Sequence, residues 1–570
     1  MNIIGISFGY HDSASALIKG DKLVFADHEE RYTGVKNDQS FPKQSLNECF
    51  KILGNEKVDA IIYYEDSIIK LDRIVKSNLK FNSFNPKLIV EAMIDWYKNE
   101  KFDPLEKIFF ETKINKDKIH FVEHHRSHAA SSFYLSPFES STIITLDGVG
   151  EWETATISYG EKNKIKKLKS IRFPHSIGLF YSAFTSFLGF QVNEGEYKVM
   201  GMAAYGKPKY YDKVKKLISL NQNLQFEINQ NYFDFEGVGE FPFNENFMEE
   251  FGIPRRPNVK SIEKNYFDIA ASVQLVTEEF ILEFAKNAAN LTGSKNLCFS
   301  GGVALNSSAN GRIIRETDLN LFVPPAAGDA GGAIGAALDF YYSKNQNNIK
   351  KILSSPFLGR VFSEDDICNA LSKSYLKNFK KIDDTNNLLE LVAKSLNEGK
   401  VVGWFVGASE IGPRALGARS ILADPRGPGT QDLINEKIKF RETFRPFAPS
   451  VLAEEASKYF DIKNKLNFNS PENYMLSIAE VKKKYRVLLP AITHVNNTAR
   501  VQTVFKEHNE IYYNLIEKFK SYSGIPILLN TSFNLKGDPI VGTPTDAINT
   551  FLSSGIDILI LGNFFIEKET

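Results

Sequence analysis

The chain opens with the stretch Ile3-Ile4-Gly5-Ile6-Ser7, then the bend Gly9-Tyr10-His11-Asp12-Ser13-Ala14 and the run Lys22-Leu23-Val24-Phe25-Ala26. Apolar runs separated by a polar, glycine-containing bend predict a β-hairpin. A second unit, Ile143-Ile144-Thr145-Leu146-Asp147-Gly148-Val149-Gly150, precedes the alternating strand Thr154-Ala155-Thr156-Ile157-Ser158. The two units look like duplicated halves of one architecture, although their identity is too slight to define a repeat.

The chain is long enough for several domains and contains one convincing linker. Its 570 residues correspond to roughly three to four domains of ~150 residues each. The polar run Ser343-Lys344-Asn345-Gln346-Asn347-Asn348 follows a predicted small-residue helix over 331–342 and has the composition of a linker. Beyond it, a predicted helix over 388–397 and a strand over 401–406 restart the pattern. We therefore predict two α/β domains, residues 1–345 and 346–570.

Composition excludes several classes of protein. Lys plus Arg equals Asp plus Glu at 69 each, so no global charge attracts nucleic acid or anionic lipid. The three cysteines, Cys49, Cys298 and Cys368, lack the close spacing of zinc ribbons or disulfide frameworks. No apolar run reaches the ~18 residues of a membrane span, and the first residues resemble a strand rather than a targeting segment. We expect a cytoplasmic protein with no membrane or nucleic-acid partner.

Two histidines at helical spacing suggest a metal site. His124 and His128 are four residues apart, so a helix would place both imidazoles on one face. A divalent ion needs further ligands, and Asp147 and Asp329 are the best candidates because each ends a strand-like segment beside glycines. Core or surface histidines on an ordinary helix are an equally good interpretation.

Two glycine-rich segments suggest an anion site. One follows the predicted strand Leu297-Cys298-Phe299, and the other opens the helix that precedes the linker. Free N–H groups at a helix start favour a phosphate, whereas glycine clusters also mark simple turns and close packing. The nucleotide-binding candidates here are Ser300, Gly301, Gly302, Asn306, Gly328 and Gly331.

Arginine is concentrated in the second half of the chain. The segments Glu410-Ile411-Gly412-Pro413-Arg414-Ala415-Leu416-Gly417-Ala418-Arg419 and Lys439-Phe440-Arg441-Glu442-Thr443-Phe444-Arg445-Pro446 mix cations with glycine, proline and apolar residues. Arginine is a forked donor suited to phosphate, and lysine adds a point charge. A solvated charged face would instead show Lys and Glu at helical spacing, so we predict a lined cationic cavity.

The order of these motifs resembles the O-carbamoyltransferases of the nodulation and antibiotic-tailoring type. The resemblance covers nearly the whole chain and implies an N-terminal domain of the actin-like ATPase fold, with two subdomains, like the subunit that makes threonylcarbamoyl-adenosine in tRNA. It implies an α/β, YrdC-like C-terminal domain. The motifs that carry it are Gly9-x-His11-Asp12-Ser13-Ala14, His124-His125-x-x-His128, Asp147-Gly148-x-Gly150, Gly195-Glu196-x-Lys198, Ser300-Gly301-Gly302-x-Ala304-x-Asn306 and Gly328-Asp329-x-Gly331.

The resemblance also implies roles in the N-terminal domain. His124, His128, Asp147 and Asp329 would bind a divalent metal, Fe²⁺ by likeness, that polarises the carbamoyl oxygen or holds the adenylate. His11 and Asp12 would orient or deprotonate the acceptor hydroxyl, although His11 could be an ordinary turn residue. Further implied residues are Lys198 as a catalytic group and Gly148 and Gly150 at the nucleotide.

In the C-terminal domain the resemblance implies a site for carbamoyl phosphate and ATP with Mg²⁺. One departure is Asn497, where a glycine is more usual. The product would be carbamoyl-adenylate, and the acceptor a small molecule or glycan whose pocket we expect near residues 210–265. The family often forms homodimers. The residues implied for the phosphates are Lys439, Arg441, Arg445, Arg500 and Asn530, with Arg414, Arg419 and Ser532 close by.

Three alternatives explain the sequence less well, and two of them stay open at this stage. A fusion that makes threonylcarbamoyl-adenosine in tRNA would need a local basic patch, which the neutral charge balance does not suggest. A hydrogenase-maturation carbamoyltransferase would carry cysteine-rich zinc fingers, which three scattered cysteines exclude. A sugar kinase or a nucleotide-binding regulator of the actin-like fold would not explain the arginine-rich second half.

Overall fold

The protein is described by a computed structural model that divides into two compact units. Unit 1 comprises residues 1–24 and 39–352, and unit 2 comprises residues 25–38 and 353–570. The predicted linker lies partly outside the described residues, because 346–348 are not among them. The structure describes residues 1–81, 90, 93–94, 96–97, 103–221, 223–235, 241–257, 262–345, 349–442, 444–463 and 466–568.

Two five-stranded sheets have the same strand order, β3-β2-β1-β4-β5 and β8-β7-β6-β11-β12, and they lie in unit 1 apart from residues 25–28 of β3. In each sheet the central strand, β1 or β6, is antiparallel to one neighbour and parallel to the other, and the outer pair on the parallel side is also parallel. This duplication confirms the predicted pair of halves and the actin-like ATPase fold. The strands are β1 Asn2–Ser7, β2 Ala14–Lys19, β3 Lys22–His28, β4 Ala60–Tyr63, β5 Ile119–Phe121, β6 Ser140–Leu146, β7 Glu153–Glu161, β8 Lys164–Arg172, β9 Ile218–Leu220, β10 Phe226–Ile228, β11 Asn296–Ser300 and β12 Asn320–Phe322.

Helices cover the sheets of unit 1 and include one that the sequence did not indicate. The segment 189–206 contains the helix Glu196–Ala203, whose Val199 and Met202 are buried. Apolar burial outweighs the low helix propensity of Gly201. The other helices are Lys43–Leu53, Ser67–Phe81, Pro104–Thr112, His124–Leu135, Ile177–Phe187, Tyr211–Lys215, Glu245–Phe251, Lys264–Thr292, Ser307–Glu316 and Asp329–Lys344.

Unit 2 is built on an eight-stranded mixed sheet of order β13-β23-β22-β14-β15-β21-β16-β20, with a small sheet β17-β18-β19. Its core is a continuous set of aliphatic and aromatic side chains that includes the fully buried Trp404 and Tyr512. The α/β character predicted for this half is confirmed. The strands are β13 Phe379–Lys381, β14 Val402–Phe405, β15 Arg419–Ala423, β16 Ala448–Leu452, β17 Phe460–Asp461, β18 Ala479–Val481, β19 Thr498–Ala499, β20 Gln502–Val504, β21 Ile527–Ser532, β22 Ile558–Leu561 and β23 Phe564–Glu567.

Helices of unit 2 pack against this sheet, and the longest are capped by side chains. The helix Pro544–Leu552 begins at a capping box formed by Thr543 and Asp546, which satisfies the free N–H groups of its first turn. The described residues contain no helix long and apolar enough to cross a membrane. The remaining helices are Glu30–Thr33, Glu364–Ser372, Thr385–Asn397, Thr430–Leu433, Ala456–Tyr459 and Glu510–Ser523, with a π-helix at Ile434–Ile438.

Candidate functional site

Four side chains that the sequence separates by up to two hundred residues converge in unit 1. His124 and His128 lie on one face of the helix His124–Leu135, and Asp147 directly follows the central strand β6. Asp329 does not end a strand, as its sequence context had suggested, but is the first residue of the helix Asp329–Lys344. One ligand atom from each of the four lies within 4.8 Å of the others. We call this set the His/Asp cluster.

The distances in the His/Asp cluster match those around a single cation. The Nε2 atoms of His124 and His128 are 3.1 Å apart, and Asp147 Oδ2 lies 3.2 Å and 2.9 Å from them. Asp329 Oδ1 lies 3.5 Å from His128 Nε2. Two donors bound at right angles to one ion at about 2.1 Å would be about 3 Å apart. Two imidazoles and two carboxylates therefore form a set of donors that could hold one divalent metal ion.

Electrostatics in the His/Asp cluster favour bound positive charge. Burial opposes the charged imidazolium, but hydrogen bonds to Asp147 and Asp329 raise the pKa of His128 to about 9. Burial also opposes ionisation of Asp329, yet the charges of His11 and His124 lower its pKa to about 2. The two carboxylates therefore stabilise positive charge at this point, and the imidazolium rings carry that charge when no metal ion is bound.

His11 and Asp12 lie beside the His/Asp cluster, in the bend between β1 and β2. His11 Nδ1 is 2.9 Å from Asp12 Oδ2, and its Nε2 faces Asp329 Oδ2 at 3.8 Å. Asp12 has a backbone φ of 52°, a left-handed conformation that costs a residue with a Cβ free energy. This bend therefore holds a carboxylate-oriented imidazole at the edge of the cluster.

A residue that sequence reasoning missed supports the cluster from behind. Glu65 is buried, and its Oε2 lies 3.8 Å from His124 Nδ1. Imidazoles that bind a metal through one nitrogen commonly direct the other toward a carboxylate. Glu65 follows the strand β4 by two positions, a strand end that could have marked it. Lys198, in contrast, lies with its ammonium 5.7 Å from the Phe190 ring centroid, and no ion pair in the described chain joins it to the cluster.

The predicted nucleotide-binding residues of unit 1 divide into open and packed positions. A Cβ at Gly328 would meet nothing within 4 Å, whereas one at Gly150 would collide with the His124 ring. Ser300 donates to the His128 carbonyl oxygen at 2.7 Å, and Asn306 caps the helix Ser307–Glu316. Gly301 packs against Leu146, and Gly331 packs against Ala326. The N–H groups of Gly148 and Gly302 donate to the Asp147 carboxylate at 2.7 Å and 3.3 Å.

Lys439 is the buried centre of the cationic region in unit 2. Its ammonium donates to the Ser532 carbonyl oxygen at 2.7 Å, to the Asn534 carbonyl oxygen at 2.9 Å and to the Asn534 side chain. Ser532 Oγ lies 3.3 Å away. Burial lowers the pKa of Lys439 well below its usual value, and the charges of Arg441, Arg445 and Lys36 lower it further. Such crowding of cations favours an anion among them.

An unusual backbone places these cations. The π-helix Ile434–Ile438 ends directly before Lys439, and Phe440 follows with a left-handed φ of 47°. π-helical turns and left-handed residues with a Cβ are enriched at functional sites. Within this turn the buried Asn435 accepts a hydrogen bond from Arg441 Nε at 2.8 Å and donates to the Arg445 carbonyl oxygen at 3.2 Å.

Arg419, predicted to lie close to the phosphates, donates to backbone carbonyl oxygens. It is fully buried, and its terminal nitrogens donate to the carbonyl oxygens of Val406, Ala418, Arg360 and Gly407. Its guanidinium carbon lies 3.7 Å from the Phe405 ring centroid. Because these donors point at backbone carbonyls, Arg419 stabilises the loop that precedes β15.

Asn530 likewise faces the protein interior. Its amide donates to the Ala415 carbonyl oxygen at 3.1 Å, to Ser450 Oγ at 3.0 Å and to Gln502 Oε1 at 2.8 Å. Arg414, by contrast, is half-buried and Pro413 beside it is exposed. The rest of this loop, residues 409–412 and 415–420, is buried. Arg414 is therefore the more exposed of the two candidate arginines in this loop.

Arg500 follows the short strand β19, beside the departure noted at Asn497. Burial lowers the pKa of His494 to about 4, and the Arg500 charge contributes to that shift. Asn497 has a φ of 65°, the left-handed region where glycine is the least strained residue and asparagine is comparatively well tolerated. The substitution therefore leaves this turn intact.

Comparisons with known proteins match both halves of the chain. The family described as Carbamoyltransferase N-terminus matches residues 2–338, and the family described as Carbamoyltransferase C-terminus matches residues 393–568. A protein of Synechocystis is 41% identical over all of this chain and 97% of its own length. The nodulation protein NolNO of Sinorhizobium fredii is 33% identical over 98% of this chain and 79% of its own length. The nodulation protein NolO of Bradyrhizobium diazoefficiens is 35% identical over 78% of this chain and 79% of its own length.

Proposed function

The chain belongs to the carbamoyltransferase family, and we propose that it is an ATP-dependent O-carbamoyltransferase with two reaction sites. In this proposal unit 2 forms carbamoyl-adenylate from carbamoyl phosphate and ATP, and unit 1 transfers the carbamoyl group to a hydroxyl of a small-molecule or sugar acceptor. The observation that carries it is the pairing of two chemically different centres within one family member. One is a buried cluster of cations around Lys439, and the other is a histidine and aspartate cluster suited to a metal.

In this proposal a second activation, as the adenylate, precedes transfer because hydrolysis of carbamoyl phosphate leaves free carbamate, whose carbonyl is a poor electrophile. Its nitrogen donates electron density into the carbonyl group, and free carbamate has no leaving group. Carbamoyl phosphate, ATP and one water would yield carbamoyl-adenylate, phosphate and pyrophosphate, with a carbamate oxygen bonding to the α-phosphorus as pyrophosphate departs. AMP is then the leaving group for the second step.

The cations of unit 2 suit the first step. Lys439 donates its hydrogen bonds to Ser532 and Asn534 and acts on a phosphate through the positive charge that a bound anion stabilises. Arg441, Arg445 and Arg500 offer forked donors that can bind phosphate oxygens in pairs. Asn435 holds Arg441 by the 2.8 Å hydrogen bond to its Nε, which reduces the entropy lost on binding. ATP enters this pocket with Mg²⁺, which offsets part of the triphosphate charge. Ser532 lies beside Lys439 and completes the polar wall.

The side chains of unit 1 suit the second step. His124, His128, Asp147 and Asp329 would hold a divalent metal, Fe²⁺ by family likeness. When bound, that ion supplies Lewis-acid polarisation of the carbamoyl or phosphate oxygen. His11 Nε2 orients the acceptor hydroxyl, because Asp12 occupies Nδ1 at 2.9 Å and fixes the direction of the ring. The acceptor oxygen then bonds to the carbamoyl carbon as the bond from that carbon to the AMP oxygen breaks, and AMP departs with the hydroxyl proton.

The adenylate is seated in unit 1 by backbone N–H groups. The helix Asp329–Lys344 begins next to Gly328, where no side chain obstructs approach. A helix of this length presents free N–H groups and a favourable dipole to a phosphate. Gly148 and Gly302 instead direct their N–H groups at Asp147 and hold its carboxylate in place.

Product identity is the sharpest test of this function. Full-length protein is incubated with ATP, Mg²⁺, carbamoyl phosphate and radioactive pyrophosphate. We expect label to enter ATP only when carbamoyl phosphate is present, and AMP rather than ADP to accumulate when an acceptor is consumed. Release of ADP without a requirement for carbamoyl phosphate would support a sugar kinase of the actin-like fold and would overturn the proposal.

A further inference from the structure

The loop Ser409–Arg419 of unit 2 is fixed by hydrogen bonds along almost its whole length. Glu410 Oε1 accepts from the N–H groups of Leu416 at 2.6 Å and Ala418 at 3.3 Å. Gln502 donates to the Leu416 carbonyl oxygen at 2.7 Å, and Trp404 Nε1 donates to that of Gly417 at 3.0 Å. The second half of the loop is therefore rigid.

The first half of the loop is fixed by a remote piece of the chain. Residues 25–38 belong to unit 2 although they come from the start of the sequence. Arg31 is buried, and its guanidinium donates to the Glu410 carbonyl oxygen and, at 2.8 Å, to that of Gly412. His28 Nε2 accepts the N–H of Gly412 at 3.1 Å. Two side chains of this segment thus satisfy three backbone groups of the loop.

Other contacts hold the segment in place. Asp27 Oδ1 lies 3.7 Å from Arg31, and Asp27 Oδ2 accepts from Ser409 Oγ at 3.3 Å. A Cβ at Gly542 would collide with the Arg31 carbonyl group, so this glycine permits the close approach of the two backbones. Arg31 therefore cannot shift without moving the loop that it binds.

Two residues of the anchored loop are not buried. Residues 409–412 and 415–420 are buried, Pro413 is exposed and Arg414 is half-buried. The clamp at Gly412 and the hydrogen bond from Asn530 to the Ala415 carbonyl oxygen at 3.1 Å bracket these two residues. The backbone on either side of Pro413 and Arg414 is thus fixed.

We propose that Arg31 is a positioning residue for substrate binding in unit 2: by clamping Glu410 and Gly412 it directs the Arg414 guanidinium toward the substrate phosphate. This inference rests on the proposed function of unit 2. It assigns a role at the adenylate-forming site to a segment that precedes the rest of unit 2 by more than three hundred residues. A preorganised arginine loses less freedom on binding a phosphate than a mobile one.

A double-mutant cycle on the full-length protein tests this proposal. Carbamoyl phosphate-dependent ATP–pyrophosphate exchange is measured for Arg31→Met, Arg414→Ala and the double variant. We expect each single variant to raise the KM for carbamoyl phosphate or ATP about tenfold, and the double variant to be no worse than Arg414→Ala, because coupled residues are not additive. Arg31→Lys keeps the positive charge but replaces the forked guanidinium with a single ammonium group. Its KM should therefore lie between those of wild type and Arg31→Met.

The matched control is Arg486→Met, which removes an arginine that donates to the Val481 carbonyl oxygen at 2.8 Å elsewhere in unit 2. It should leave KM unchanged. If the KM increases of Arg31→Met and Arg414→Ala multiply in the double variant, the two residues act independently and the proposal is overturned. If Arg31→Met fails to fold, His28→Ala removes the other half of the clamp and completes the same cycle. If the wild-type protein shows no exchange, the proposed function fails. The coupling of Arg31 and Arg414 is then measured from the ATP affinities of the same four proteins by titration calorimetry.

Discussion

The His/Asp cluster of unit 1 and the cationic region of unit 2 accommodate their charged side chains in opposite ways. The cluster balances two carboxylates against two imidazoles contributed by two helices and one strand end, with Asp147 Oδ2 only 2.9 Å from His128 Nε2. The cationic region takes Lys439, Arg441 and Arg445 from one short stretch and holds the Lys439 ammonium with neutral oxygens of Ser532 and Asn534. The first arrangement suits a cation, and the second suits an anion.

This difference predicts that a substitution in one centre impairs the reaction of that centre alone. A metal centre depends on a few convergent donors, so removal of one ligand should abolish it. A phosphate pocket depends on summed charge and fixed donors, so its loss should appear in substrate activation. Variants in one unit should therefore leave the reaction of the other largely intact.

The largest expected effect follows Lys439→Ala. Carbamoyl phosphate-dependent ATP–pyrophosphate exchange should fall about 10²- to 10³-fold, the range seen when one preorganised donor is removed from a charged transition state. The metal content of the purified protein, measured by mass spectrometry, should not change. The control is Lys437→Ala, an exposed lysine of the same π-helix. Equal losses of exchange in both variants would contradict a specific role for Lys439.

His128→Ala is the reciprocal experiment. It removes one of two imidazoles whose Nε2 atoms are 3.1 Å apart, so bound metal should fall from near one equivalent per chain to background. Exchange in unit 2 should stay within about twofold of wild type, because additivity holds for sites without shared partners. His120→Ala, which removes a histidine stacked on Phe340, is the control. Loss of exchange together with metal would argue against two separate sites.

Arg419→Met distinguishes a scaffold arginine from a substrate arginine. The variant leaves the four carbonyl oxygens to which Arg419 donates without that partner, and unsatisfied buried polar groups cost about 1–3 kcal/mol each before relaxation. We expect a drop of about 2 kcal/mol or more in the free energy of unfolding, seen in urea titration. Unchanged stability with a raised KM for carbamoyl phosphate would instead assign Arg419 to the substrate.

Glu65→Gln should give the smallest effect. The amide keeps the shape of Glu65 but removes the negative charge 3.8 Å from His124 Nδ1. Loss of an outer carboxylate partner typically lowers metal affinity about 10- to 100-fold, and we expect the low end of that range because the contact is longer than a hydrogen bond. Competition with a fluorescent chelator measures the affinity. An unchanged dissociation constant would show that Glu65 does not support the cluster.

The sequence located the candidate residues better than it separated their roles. The helical spacing of His124 and His128 is a local property, so their shared face could be predicted without the fold. Arg414 and Arg419 lie five residues apart in one motif and look equivalent there. The structure buries Arg419 completely against backbone carbonyls and leaves Arg414 half-buried. Burial depends on distant strands, so no local pattern could distinguish the two.

Alternating apolar runs and polar bends determined the duplicated sheets, because strand periodicity and turn chemistry are encoded over a few residues. Helical spacing likewise determined half of the metal cluster. Tertiary structure alone decided that Asp329 joins it from a helix start, that Glu65 lies behind His124, and that residues 25–38 pack within unit 2. Those contacts link residues far apart along the chain, and their free energy comes from burial that exists only once the sheets have assembled.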